Sequence, residues 1–193
     1  MKLVKTLAAV VGISVLAMPC VGCSRKVSEA SQVVSYVMPD GAPAYYEYLG
    51  DIDYATPTAA LVWEQVDGET EGIYGIQYRE VIDFNSITSQ SDIAVCLYFY
   101  SSSARGSQNL SAGVEDLAQT LVGKVLFIAV DGVEADAVST AYQVAGYPEF
   151  ILLNDNARIS TFSGVEYQEW NIDDVTAWIA DNGYEPDLTM LMR

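Results

Sequence analysis

Seven residues, Ser101-Ser-Ser-Ala-Arg-Gly-Ser107, gather hydroxyl, guanidinium and glycine chemistry at one junction of this 193-residue chain. The apolar run Ile93-Ala-Val-Cys-Leu-Tyr-Phe-Tyr100 leads into them, and Leu110, Val114, Leu117 and Leu121 follow at helical spacing. The junction is therefore where a buried strand becomes a helix, the place at which α/β sheets carry ligands. Free backbone N–H groups at a helix start, with Ser103, Arg105, Gly106 and Ser107 around them, favour an anion. The same residue types also serve simply as caps, and no Lys-Ser/Thr pair of a phosphate loop is present. A serine nucleophile would need a base, and the chain has no histidine.

Cysteine chemistry is equally restricted. There are three cysteines, Cys20, Cys23 and Cys96, and Cys96 sits in the middle of the apolar run, where a cysteine is most often an inert small hydrophobe. Asp131, Glu134 and Asp136 lack the glycine and terminal glutamate of a calcium loop, so neither a metal nor a cofactor is expected. The formal net charge of −17 argues against nucleic acid as a partner, because phosphate backbones need clustered Lys and Arg.

The elements around the junction continue in a readable order. Gly123-Lys124 ends the helix, Val125 to Val130 is a second apolar strand, and Gly146-Tyr-Pro148 leads into Phe150 to Leu153. Asn154-Asp-Asn156 then reads as the tight turn of a hairpin returning through Ala157 to Phe162. Asn171, with Asp173 and Asp174 behind it, reads as the N-cap of a last helix burying Val175, Trp178 and Ile179, and Gly183 ends it.

From Ala104 to Pro148, and on to Gly164, this arrangement resembles the thioredoxin family without a gap. Phe99-Tyr-Ser101 stands for the family's Phe-Trp-Ala, Gly123-Lys124 for its Gly-Lys, and Tyr142-Gln-Val-Ala-Gly-Tyr-Pro148 for its Tyr-Gly-Val-x-x-Ile-Pro turn. The resemblance implies an α/β thioredoxin-like fold, a central mixed sheet flanked by helices, here with an N-terminal β-hairpin elaboration. It also marks a departure. Ala104, Arg105, Gly106 and Ser107 occupy the family's Cys-x-x-Cys positions, and Tyr98 stands where redox-active members hold a buried acid. Disulfide exchange needs an attacking thiolate and a resolving thiol, which alanine and serine do not supply. The resemblance further implies a cis proline at Pro148 and a peptide-binding groove beside it, bordered by Tyr100, Ser103, Ser107, Tyr147 and Pro148, with Phe99 either at its edge or in the core. A polypeptide or envelope protein is the expected partner, with a thiol-disulfide enzyme or a structural subunit of a surface complex as the alternatives.

The amino-terminal stretch reads as targeting. Lys2 and Lys5 precede the short apolar core Leu7 to Ala17, and Val21-Gly-Cys-Ser24 resembles a bacterial lipoprotein processing box with Cys23 as the lipidated residue. The expected organisation is a signal peptide over 1–22, a lipidated cysteine and flexible tether over 23–43, and a β elaboration over 44–77. The thioredoxin-like domain follows over 78–184, with a tail over 185–193. This places the protein on the extracytoplasmic face of a cell membrane through a lipid anchor, or otherwise as a secreted protein. Ala44 to Tyr54 reads as an extended edge strand whose tyrosines pave the sheet edge, Ala59 to Val66 and Ile73 to Phe84 as the added hairpin, and Tyr78 to Asp83 as the first strand of the family sheet.

Overall fold

In the computed structural model, the residues described are 42–66, 72–104, 107, 110–163 and 170–192, all within one compact unit spanning Tyr36–Arg193. The signal peptide, Cys23 and most of the tether lie outside the described residues, as do Arg105 and Gly106.

Seven strands form one sheet in the order β1-β3-β2-β5-β4-β6-β7. They are β1 (Leu49–Ile52), β2 (Thr58–Gln65), β3 (Tyr74–Val81), β4 (Ala94–Tyr100), β5 (Val125–Asp131), β6 (Glu149–Asn154) and β7 (Ala157–Ser163). The helices are α1 (Phe84–Thr88), α2 (Ser111–Thr120), α3 (Asp136–Ala141) and α4 (Ile172–Asp181). β4 and β5 run parallel from Ala94↔Val125 to Tyr100↔Asp131, joined by the crossover through α2, and every other pairing is antiparallel. The sheet is thus mixed. β5 is buried along its whole length and β4 along all but Tyr100, which is why both read as unbroken apolar runs.

Alternation divides these strands between two cores. Cys96, Tyr98, Phe127, Phe150 and Leu152 pack with Val114, Leu117 and Leu121 of the α2 segment and with Val175 and Ile179 of α4. On the opposite face Leu97, Phe99, Ile128, Val130 and Ile151 pack with Ile87 and with Tyr45 and Tyr46. α4 opens on the N-cap expected at Asn171 and closes it as a capping box: the Asn171 side chain accepts from the Asp173 and Asp174 amides while Asp174 accepts from the Asn171 amide.

Two expectations are corrected by the structure. The hairpin β2–β3 belongs to the same sheet as the rest, and a boundary at residue 78 would cut through β3. Its first arm, β2, is hydrogen-bonded to β5, antiparallel, with Thr58↔Val130 and Leu61↔Phe127, and the second arm, β3, which carries Tyr78, lies beside it in the same sheet. Ala59-Ala-Leu-Val62 is apolar and buried on both faces, which suits a strand packed between the two layers beside β5. Residues Ala44–Tyr48 form a 3-10 helix, not a strand, and only Leu49–Ile52 make the edge. The tail also has structure, a 3-10 helix Leu188–Met192, with the Asp187 amide donating to the Thr120 carbonyl at 2.8 Å.

β1, β3 and β2 are tied together by the ion pair of Arg79 with Glu64. Arg79 Nε lies 2.8 Å from Glu64 Oε1 and 3.1 Å from Oε2, while Arg79 Nη1 donates to the Gly50 carbonyl at 3.0 Å. Three strands, β1, β3 and β2, therefore meet at one guanidinium, with both side chains largely out of water. Removing one partner from such a pair strands the other charge. Glu64→Ala is expected to lower the unfolding free energy by about 2–3 kcal/mol, less than for a fully buried pair, and Glu64→Leu/Arg79→Met to recover part of it. Urea titration of the three proteins checks this.

Burial pushes the Tyr45 phenol up to about 12, with Glu64 and Asp92 adding to the shift. The neutral phenol is the form the fold accommodates. Its contribution is complete below the ordinary tyrosine value near 10 and is lost as pH rises from there toward 12. Urea midpoints should accordingly fall over that interval, and Tyr45→Phe should make the fall shallower.

Candidate functional site

The C-terminal ends of β4 and β5 and the start of β6 meet at Gly132. Its amide donates to the Tyr100 carbonyl at 2.8 Å, and its own carbonyl accepts from Ser139 Oγ at 3.1 Å and Tyr147 Oη at 2.7 Å. A methyl group at Gly132 would overlap the Tyr147 ring, so glycine is required here by the close approach of that ring. Phe99 pairs with Glu149 across β4 and β6, which sets Pro148 beside the end of β4 where the 101–107 loop begins. The Tyr147–Pro148 peptide bond is cis.

The loop is held by its own hydroxyls. Ser101 Oγ and Ser103 Oγ are 2.9 Å apart, the Ala104 amide donates to the Ser101 carbonyl at 2.9 Å, and Ser107 Oγ accepts from the Ser101 amide at 3.3 Å. Tyr98 Oη donates to the Ser107 carbonyl at 3.1 Å. Tyr98 thus fills the place beneath the loop with a neutral phenol, which burial holds above its ordinary range, and its ring stacks on Phe150 at 4.8 Å.

The candidate groove residues separate on this geometry. Tyr100 and Tyr147 are half-buried, Ser103 is exposed and Ala104 is partly exposed. Ser107 and Pro148 are buried, and the Ser107 hydroxyl is turned to the Ser101 amide; neither is a surface residue bordering a groove. Phe99 is fully buried in the core. Cys96 is fully buried in β4, its thiol pushed well above the usual range by desolvation, so it presents no thiolate to solvent. Asp131 caps the turn after β5 by accepting from the Val133 and Glu134 amides at 3.0 and 3.3 Å. Among the described residues, no group of three or more His, Cys, Asp or Glu side chains is placed to hold a metal ion, and no helix is long and apolar enough to cross a membrane.

Sequence reasoning missed a second feature on the other side of Tyr100. Tyr54, Tyr78, Tyr98 and Tyr100 line a cavity of about 410 Å³ together with Glu115 of α2. The signal available in the sequence was the phase of the strands: Tyr78 and Tyr98 fall on one face of the sheet, but only the strand order reveals that they share a cavity.

The thioredoxin family model matches residues 76–177, more than half of the chain, and the chain belongs to the thioredoxin family. Thioredoxin-1 of Drosophila yakuba is 26% identical over 89 residues, covering 46% of this chain and 83% of that protein. Among solved structures, mitochondrial thioredoxin 3 from Saccharomyces cerevisiae is 21% identical with a TM-score of 0.44, covering 51% of this chain and 86% of that one. A thioredoxin from Plasmodium falciparum is 22% identical with a TM-score of 0.45, covering 51% and 89%.

Gly132→Ala is expected to displace the Tyr147 ring and lower stability by about 1–3 kcal/mol, as overpacking does. Gly132→Ala/Tyr147→Ala should cost less than the sum of the two single changes, and thermal denaturation of all three variants checks this.

Proposed function

We propose that this protein is a redox-inactive member of the thioredoxin family that binds polypeptide segments, held at the extracytoplasmic face of a cell membrane by lipid on Cys23. The observation that carries the redox part is the location of sulfur. Downstream of Cys23 the chain has one cysteine, and that residue, Cys96, is enclosed in the central strand and pointed into the core beneath α2. The family's exchange reaction requires a thiolate at the start of the helix; Ala104 and Ser107 stand at those positions, and Ser107 is engaged in holding the loop.

Binding is supported by the surface that remains. Tyr100, at the end of β4, and Tyr147, just before β6, are partly exposed rings at the same end of the sheet as exposed Ser102 and Ser103, Tyr100 packed on the α2 face and Tyr147 on the opposite one. Aromatic side chains with hydroxyls beside them suit an extended backbone, supplying apolar contact and hydrogen-bonding groups together. The anchor rests on the sequence alone: a basic start, a short apolar core and the Val21-Gly-Cys-Ser24 box.

Insulin reduction in the presence of dithiothreitol tests the redox part. Wild type and Cys96→Ser are expected to match the uncatalysed rate, and Ala104→Cys/Ser107→Cys to exceed it. Activity in wild type that disappears in Cys96→Ser would overturn the reading in favour of an enzyme acting through an accessible Cys96. Thiol-blocked insulin B chain provides the binding probe, and Tyr147→Ala should weaken its capture by about tenfold, the scale of losing one aromatic anchor.

A further inference from the structure

The tyrosine-walled cavity is built by strand order. Across the sheet, Tyr98 of β4 pairs with Ala129 of β5, and Ala129 pairs with Ala59 of β2. One step along, Leu61 of β2 pairs with Tyr78 of β3. Two inner strands therefore contribute Ala129 and Leu61 as a low floor, while the strands outside them raise tyrosines on either side. The walls are ring pairs: Tyr54 and Tyr78 have centroids 5.4 Å apart, and Tyr98 and Tyr100 are stacked at 5.6 Å. α2 contributes Glu115, whose Oε1 accepts from Tyr78 Oη at 2.6 Å. Tyr54 is 67% exposed and stands at the mouth.

The chemistry of this lining is one-sided. Aromatic faces carry negative charge density, a carboxylate lies among them, and no described lining residue is basic. Asp131 and Glu134 lie close enough to act electrostatically on Tyr100, and the chain as a whole is strongly acidic. An anion would meet repulsion from the described lining. A neutral apolar ligand would leave the carboxylate without a counter-charge as water was displaced. A cation satisfies both elements, lying against ring faces and near a carboxylate in a partly dry site.

We propose that this cavity binds an organic cation, an ammonium or guanidinium head on a short aliphatic stem. The head lies between the Tyr54/Tyr78 and Tyr98/Tyr100 pairs, and Glu115 supplies its counter-charge. The site is separate from the polypeptide surface, apart from Tyr100, which borders both.

The test is calorimetric titration of the purified protein with choline chloride, N-acetyl-lysine amide and N-acetyl-arginine amide, with 3,3-dimethylbutanol as the neutral counterpart of choline. At least one cation should bind saturably, and which one does separates a free quaternary ammonium from a basic side chain. Binding of the neutral alcohol should be weaker by about tenfold, the scale of a desolvated cation–π contact. Glu115→Gln, which retains a hydrogen-bonding oxygen for Tyr78, and Tyr54→Ala, at an exposed position, should each weaken cation binding by about tenfold. Three results would overturn the proposal: equal binding of choline and the alcohol, no heat from any cation at about 10 mM, or binding indifferent to both substitutions. Loss of insulin B-chain capture in Tyr147→Ala, or its absence altogether, leaves this outcome unaffected.

Discussion

The parallel pairing of β4 with β5 is the constraint on which the rest of the molecule depends. A parallel pair cannot be closed by a tight turn, so α2 must cross one face of the sheet to join them, and that face must be apolar to receive it. Both strands are buried on the other face as well, against α1, Tyr45 and Tyr46. Once these two layers are in place, the loop between β4 and α2 is fixed at the sheet's end, and β6 is fixed beside it by its own pairing with β4. The geometry of the candidate site follows from the ladder before any of its own side chains is considered.

Within that frame, the loop is held by hydroxyl groups. The family fold places a helix start over the end of a central strand, an environment that stabilises a thiolate when a cysteine is present. Here the same backbone is held by Ser101, Ser103, Ser107 and Tyr98 through neutral hydrogen bonds. The hydroxyls are used for architecture, so the polar appearance of the loop in sequence overstated how much of it faces outward.

Legibility varied with how local the signal was. β4, β5, β6, α2 and α4 were readable because each is an apolar run or a helical period, bounded by Gly123, Gly183 or the Asn154-Asp-Asn156 turn. Asn171 was readable as a cap for the same reason, since its function is settled within three residues. The pairing of β2 with β5 was not read, although Ala59-Ala-Leu-Val62 is apolar on both faces. Ser107 burial, the fit of Tyr147 against Gly132 and the tyrosine-walled cavity were not legible, because each is made by segments far apart in the chain. The pairing of Arg79 with Glu64 belongs to the same class: two ordinary surface residue types become an interior pair only when β1, β2 and β3 are assembled.

Ala129 carries a consequence of a different kind. Its backbone is committed to the central ladder, hydrogen-bonded to a strand on either side, while its methyl group sets the depth of the cavity floor. A larger side chain at this position would take its volume from the cavity, whereas the ladder is made by backbone groups that every residue but proline carries. A lineage carrying this fold therefore has a separate dial for cavity capacity, and divergence in what the cavity admits can proceed through single methyl-sized steps while the scaffold is inherited unchanged.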